Sequence, residues 1–218
     1  MKMNIKDKII EKIKINKISS TEIADCLEKK GALNNVYALN SGHHKVGEVF
    51  WTYAYNNSNW ELHKQLEKVP KDCIVLTDVF LSDDNAVYGE LVSKYLILYK
   101  QVEGIVVNAK LRDVNNLIKE NWPIWFTGPS PIGFNNTKNI NQFDLSILNK
   151  YQKKYKGAIA VCDDTGVVVI TIDHINNDFL EKLNWIENQE DIWFDCLDRK
   201  KMSTFEIVCE KKYLNDKT

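Results

Sequence analysis

Hydrophobic and polar positions change period several times along the chain, and each change marks an element. Isoleucine alternates with lysine through the first 17 residues, and Ile5, Ile9, Ile10 and Ile13 share one helical face. That spacing predicts an amphipathic helix over residues 1–18. Ser19 and Glu22 stand at capping-box spacing, so a second helix starts there, buries Ile23 and Leu27, and stops at Gly31. Residues 46–55 are β-rich, and residues 59–69 return to helical period with Ser58 or Asn59 available as the cap. Residues 73–77 form a short buried strand. A helix follows Asn85, passes through Gly89-Glu90-Leu91-Val92 and ends near Gln101. A strand over 104–109, a helix from Asp113 and a strand over 124–127 continue the alternation, and Gly128–Gly133 is a rigid Pro-rich turn. Residues 135–156, rich in Asn and Lys, read as an insertion or mobile loop. Strands over 158–161 and 166–172 flank the turn Asp163-Asp164-Thr165-Gly166, and residues 177 to about 201 are helical, with a further short helix capped by Ser203 or Thr204. Short alternating strands and helices predict an α/β layered fold. One domain over 1–218 is expected, with residues 177–218 as a C-terminal helical arm.

Composition narrows the function classes. The 218 residues are 44% hydrophobic and 27% charged, with a net charge of −1. That balance supplies no long-range attraction for nucleic acid. No apolar run approaches the roughly 20 residues of a membrane span, and the N-terminal segment lacks the apolar core of a secretory signal. The five scattered cysteines (Cys26, Cys73, Cys162, Cys196, Cys209) lack metal-ligand spacing and read as reduced thiols, which points to the cytoplasm. The histidines His43, His44, His63 and His174 show no zinc-site spacing. Phosphate-loop, dinucleotide and nucleophile-elbow motifs are absent, as is any Gly-rich loop for S-adenosylmethionine.

Three segments remain as candidate chemistry. Arginine occurs only at positions 112 and 199 among 29 basic residues, so Arg112 suggests a need for a planar fork that grips carboxylate or phosphate. Arg112-Asp113 sits where a strand hands over to a helix, the usual ligand position in open α/β sheets. Alternatively, the two residues pair with each other or cap the helix. Backbone amides at Gly89–Val92, near a helix start, can bind an anion, which would put Glu90 beside it as a proton carrier. The alternative role for Glu90 is to complement the helix dipole. Asn59 and His63 share a helical face at i and i+4, as surface or core packing would also require.

The order and spacing of several segments resemble the RraA-like family, which includes the regulator of ribonuclease activity A and the class II 4-hydroxy-4-methyl-2-oxoglutarate/4-carboxy-4-hydroxy-2-oxoadipate aldolases. The segments are Ser20–Leu27, Asn59–His63, Ala86–Leu91, Gly104–Asp113, Pro129–Gly133 and Asp163–Val169. Three details differ from the family pattern. Asn108-Ala109 replaces a usual Asp-Gly, Lys156-Gly157-Ala158 replaces a Pro-Gly-Asp, and Cys162 replaces a glycine.

The resemblance implies an α/β/β/α swivelling-domain fold assembled as a trimer or a dimer of trimers. It implies Mg²⁺ or Mn²⁺ held by Asp113 and mostly by water, with Arg112 on the substrate's carboxylate or keto oxygen. Amides of Gly89, Leu91 and Val92 would bind a pyruvyl carboxylate, with Glu90 as the adjacent acid and Asn59 and His63 lining the site. Asp25, and Glu190 (or Glu187 or Asp191), would reach in from a neighbouring subunit. The implied activity is metal-dependent carbon–carbon lysis of a 2-oxo dicarboxylic acid, such as 4-hydroxy-4-methyl-2-oxoglutarate or oxaloacetate, through a pyruvate enolate. The alternatives are a non-catalytic regulator docking on an RNA-degrading enzyme, or a member repurposed for another small-molecule substrate in a biosynthetic pathway.

Overall fold

The computed structural model describes residues 3–214, and the chain divides into two compact units between Asn176 and Asn177. The first unit begins with α1 (Ile5–Asn16), whose buried face is Ile9 and Ile13. In α2 (Ser20–Cys26) the capping box is complete: Ser19 Oγ accepts the Glu22 N–H at 3.2 Å and Glu22 Oε2 accepts the Ser19 N–H at 2.7 Å. The strands are β1 (Tyr37–Ala38), β2 (Lys45–Tyr55), β3 (Ile74–Phe80), β4 (Ala86–Tyr88), β5 (Gly104–Leu111), β6 (Ile124–Pro129), β7 (Ile159–Asp163) and β8 (Gly166–Ile170). Between them lie α3 (Trp60–Leu66), α4 (Glu90–Lys94), α5 (Val114–Lys119) and α6 (Leu145–Tyr155).

The sheet order is β1-β6-β5-β3-β2-β7-β8, with β4 paired to β5. Strands β2, β3, β5 and β6 are parallel to one another, whereas β1, β7 and β8 join antiparallel. Side chains alternate across the parallel strands, as a period of two requires. Val75, Ile105, Val107 and Ile124 face a core shared with Leu62, Val92, Leu96 and Leu117 of the helices. Ile74, Leu76, Val106 and Trp125 face a second core against Ala160, Cys162, Val167 and Val169 of β7 and β8. Helix α2 packs on β7 and β8, and α1 on β2. The result is helix, sheet, sheet, helix. Strand β2 belongs to both sheets, pairing β7 through Lys45–Glu48 and β3 through Val49–Tyr55.

Asp163 ties three parts of this stack together. Its carboxylate accepts the Ser20 N–H at 2.6 Å, the Ser20 hydroxyl at 2.7 Å and the Thr165 N–H at 2.9 Å, while its carbonyl accepts Trp125 Nε1–H at 2.7 Å.

Several sequence expectations need correction. Residues 86–88 are a strand, because Ala86, Val87 and Tyr88 are buried along β5 and helix begins only after Gly89. The predicted helix toward Gln101 changes after Lys94 into a π-helical turn, Tyr95–Tyr99. Residues 135–156 are not simply a loop. Asp144 caps α6 by accepting the Ser146 N–H at 2.7 Å, and Phe143, Tyr151 and Tyr155 stack on the aromatic face of β2. Apolar contacts at a few positions outweigh the polar composition there. Helix α3 is shorter than 59–69; Asn59 occupies its cap position without a side-chain cap bond, and the preceding Ser58 hydroxyl accepts the Trp60 N–H at 3.2 Å.

The second unit holds α7 (Asn177–Asp198), a π-helical turn Phe205–Cys209 and a short 3₁₀ turn Lys212–Leu214. Cys196, Ile207 and Tyr213 form its small core with Trp193 and Met202. Ser203, rather than Thr204, supplies the cap, accepting the Glu206 N–H at 3.2 Å. Among the described residues no helix is long and apolar enough to cross a membrane.

One irregularity shapes the end of β5. Val107 to Lys110 spans three steps opposite two steps of β6, a β-bulge at Asn108-Ala109. There β5 also changes partner, from β3 (last pair Asp78 and Asn108) to β4 (first pair Lys110 and Ala86). The buried Asp78 carboxylate bridges the split, accepting Asn108 Nδ2–H at 2.9 Å and Trp51 Nε1–H at 2.8 Å. Burial raises its pKa above the usual carboxyl range, against the lowering by both hydrogen bonds and the Lys154 charge. A carboxyl raised in the folded state contributes stability that is present at low pH and lost as pH rises through the folded pKa. Asp78→Asn keeps the shape and can still pair with Trp51 and a flipped Asn108 amide. It should melt above the wild type at pH 7, with the gap closing as pH falls through the raised pKa of the folded carboxyl. A variant that melts lower at both pH values would contradict this account.

Candidate active site

The carboxyl end of β5 is held from both sides. Leu111 C=O accepts the Ser130 N–H at 2.9 Å, and the Arg112 N–H donates to Tyr88 C=O at 3.0 Å. Asp113 then takes the left-handed conformation (φ 59°, ψ 27°), which Asp tolerates better than most residues. The chain turns there into α5, and the Asp113 carbonyl accepts the Asn116 and Leu117 N–H groups at 2.9 and 3.2 Å.

Gly89 approaches this turn from β4. A Cβ on Gly89 would stand 2.3 Å from Asp113 Oδ2 and 2.7 Å from Arg112 Cγ, so any side chain there would push both residues from their positions. The close approach lets the Glu90 N–H donate to Asp113 Oδ2 at 3.2 Å. Asn116 Nδ2–H returns the link, donating to Glu90 Oε2 at 2.7 Å. Two helix starts are thereby joined through Asp113, Glu90 and Asn116.

Arg112 is free to bind something else. Its Nε lies 3.6 Å from Asp113 Oδ2, too long for a hydrogen bond, with both side chains about half exposed. Such a pair is worth no more than about 1 kcal/mol. Asp113 occupies the cap position of α5 but makes no side-chain cap bond. Neither mutual pairing nor capping therefore consumes these groups. A second glycine makes room for the fork, since a Cβ on Gly133 would lie 2.7 Å from Arg112 Nη1. The resulting cleft, about 440 Å³, is lined by Leu111, Arg112, Asp113, Asn116, Ser130 and Pro131.

The side chains of the other expected site residues are not among those that line this cleft. The Asn59 side chain donates to Val87 C=O at 3.2 Å and so braces β4. His63, Leu91 and Val92 border a separate groove of about 350 Å³ between α3 and α4. Leu91 is largely exposed there, whereas the Val92 side chain joins the core, leaving only backbone to offer a ligand. Asp25, on α2 in the outer helix layer, pairs with Lys29 just past the helix end. Glu190 lies in the second unit, on α7. Among the described residues no three His, Cys, Asp or Glu side chains form a metal cluster. A cation at the cleft would have Asp113, and Glu90 at most, as protein ligands.

A sequence model described as RraA-like (Aldolase/RraA) matches residues 20–169, the stretch that carries both sheets and the cleft. The chain belongs to the RraA-like family. Protein DlpA of Legionella pneumophila is 28% identical over 172 residues, covering 72% of this chain and 27% of that protein. The RraA-like chain thus spans about a quarter of that relative's length. A structure from Pseudomonas syringae pv. tomato superposes with a TM-score of 0.69 at 16% identity, covering 94% of this chain and 93% of that one. RraAS2 of Streptomyces coelicolor, described as an unusual member of the RNase ES inhibitor RraA family, gives 0.62 at 19% identity, covering 81% and 90%. At these identities the structural likeness establishes the fold.

Asn116 and Gly133 escaped the reading of residues as site members. Asn116 lies three positions after Asp113, hence on the same helical face, which was the available signal. Gly133 had none beyond its Pro-rich turn. Gly89→Ala should break the packing of α4 on α5, costing about 1–3 kcal/mol as overpacking does. A lower urea midpoint at unchanged m would show it. An unchanged midpoint would mean that the two helix starts are not clamped at Gly89.

Proposed function

We propose that this RraA-like chain is a divalent-metal-dependent lyase that cleaves a carbon–carbon bond of a 2-oxo dicarboxylic acid, in the manner of 4-hydroxy-4-methyl-2-oxoglutarate or oxaloacetate cleavage. The observation that carries the reading is an uncommitted guanidinium beside a half-exposed carboxylate, both fixed by the Gly89 approach at the mouth of an open cleft. A regulator that only docks has no need for that arrangement.

The donor set fits the expected cation. One or two carboxylates with room for water suit Mg²⁺ or Mn²⁺ rather than a closed zinc site. Asp113, through the oxygen not engaged by Glu90 N–H, would hold it, and the cation would add positive charge at the 2-oxo group. The chain's own residues do the rest. Arg112 grips a substrate carboxylate in bidentate fashion and places fixed charge where negative charge develops as the bond breaks. The Leu91 and Val92 N–H groups, in the first turn of α4, lack intrahelical acceptors and can take a second carboxylate oxygen. Glu90, oriented by Asn116, accepts the proton of a 4-hydroxyl group, and the electron pair of the broken bond passes to the pyruvyl carbon. That carbon is then protonated to release pyruvate. A trimeric assembly would bring Asp25, and Glu190 or a neighbouring acid, toward the cleft of another subunit.

Pyruvate release, coupled to NADH oxidation by lactate dehydrogenase, tests the reading with oxaloacetate and 4-hydroxy-4-methyl-2-oxoglutarate. Turnover should require Mg²⁺ or Mn²⁺. Arg112→Lys and Asp113→Asn should each lower kcat/KM by about 10²–10³ without lowering the melting point. A folded wild-type protein that releases no pyruvate with either metal would overturn the lyase assignment and leave a binding role.

A further inference from the structure

Where β2 parts from β7, the sheet has an edge that no strand covers. Backbone N–H and C=O groups of alternate residues point to the same side of a strand, and here both ends of the stretch fix the outward set. The Val49 N–H donates outward to Ala158 C=O at 2.8 Å. The N–H and C=O of Tyr53 both engage the Gln65 side chain, at 3.0 and 2.9 Å. Trp51, midway between them, therefore turns its N–H and C=O to the same side. The Val49 C=O joins them, because the Ala158 N–H turns back to Tyr155 C=O at 3.1 Å. Among the described residues nothing pairs with these three groups.

They run acceptor, donor, acceptor along a groove of about 470 Å³. Gln65 of α3 and Lys68 just beyond its end form one wall, and Gln152, Tyr155 and Lys156 at the end of α6 the other. Lys68 and Lys156 are exposed and have no ion-pair partner among the described residues. Open strand edges are usually blunted by charge or by a covering side chain. Gln65 covers Tyr53 in this way, imitating the backbone of a paired strand, but the pair of groups on Trp51 is left uncovered.

We propose that this edge docks an extended acidic peptide segment of a partner protein. The segment would add beside β2 with its backbone on Val49 and Trp51, and its carboxylate side chains on Lys68 and Lys156. Backbone bonds supply affinity in strand addition, and flanking pockets and charges supply selection. The two lysines, one on each wall, select acidic side chains on both faces of the added segment, and the half-buried Trp51 ring packs against their aliphatic stems. This site is distinct from the Arg112 cleft and does not depend on the reaction there.

The test is fluorescence anisotropy with a labelled valine-rich peptide carrying two adjacent glutamates, whose side chains leave opposite faces of an extended strand, titrated with the full chain. Binding is expected. It should weaken by at least about tenfold in the Lys68→Glu/Lys156→Glu variant, whose changes are confined to exposed side chains. It should be lost when the peptide's central amides are N-methylated, and it should tighten in Gln65→Ala, which opens the Tyr53 pair. Melting curves of both variants should match the wild type, and Lys68→Gln/Lys156→Gln serves as the milder replacement if they do not. Four results would overturn the proposal: no binding, equal binding of a valine–lysine peptide, indifference to N-methylation, or displacement by free glutamate as effectively as by unlabelled peptide. The last would mark a small-anion site instead. Self-association of the chain that the lysine reversals abolish would give the edge to a second copy, and would also overturn it.

Discussion

The candidate site depends on one close approach, the backbone of Gly89 against the Arg112-Asp113 turn. A single methyl group there would overlap Asp113 Oδ2 and displace it, so the observed contact relies on the bare backbone at position 89. The arrangement of the cleft follows from it. The approach places the Glu90 N–H on Asp113 and brings Asn116 within hydrogen-bonding distance of Glu90. It also leaves Arg112 projecting past the pair rather than buried between them. Upstream, the bulge at Asn108-Ala109 and the change of partner from β3 to β4 set the direction in which β5 reaches that turn. The cleft end of the sheet is thus a fault in an otherwise regular arrangement.

That arrangement explains why the fold is shared more widely than any activity. The two cores on either side of the parallel strands are built from Val, Ile, Leu and Ala in period-two alternation, which many sequences can satisfy. Proteins at 16–19% identity preserve that scaffold. The cleft needs particular residues instead: two glycines where side chains would collide, one arginine in a lysine-rich chain, and an aspartate in a left-handed turn. The chemistry open to the cleft is therefore set by those positions and not by the topology.

Much of the scaffold was legible because local chemistry and tertiary packing agree. The Ser19–Glu22 capping box, the buried strand runs and the Asp163–Gly166 hairpin all appear where their residues predict them. The failures lie where tertiary contact decides. Ala86-Val87-Tyr88 gives too short a pattern to distinguish a strand from a helix turn, and only its pairing with β5 settles the matter. Helix α6 hides in a polar stretch because three aromatic residues, spread over a dozen positions, carry its packing. At the site, Arg112 stood out through composition and Asp113 through its neighbour. The helical spacing of Asn59 and His63 suggested joint membership, yet one braces β4 and the other faces a different groove.

The central claim, that Asp113 and Arg112 together present a cation and an anion site, is tested most directly by electron paramagnetic resonance of Mn²⁺ titrated into the protein. Oxalate, a planar mimic of pyruvate enolate, serves as the second ligand. The account predicts protein-bound Mn²⁺ in the wild type, loss of that signal in Asp113→Asn, and an oxalate-induced change in the spectrum that Arg112→Ala abolishes while leaving Mn²⁺ bound. Equal Mn²⁺ binding by the wild type and Asp113→Asn would contradict it.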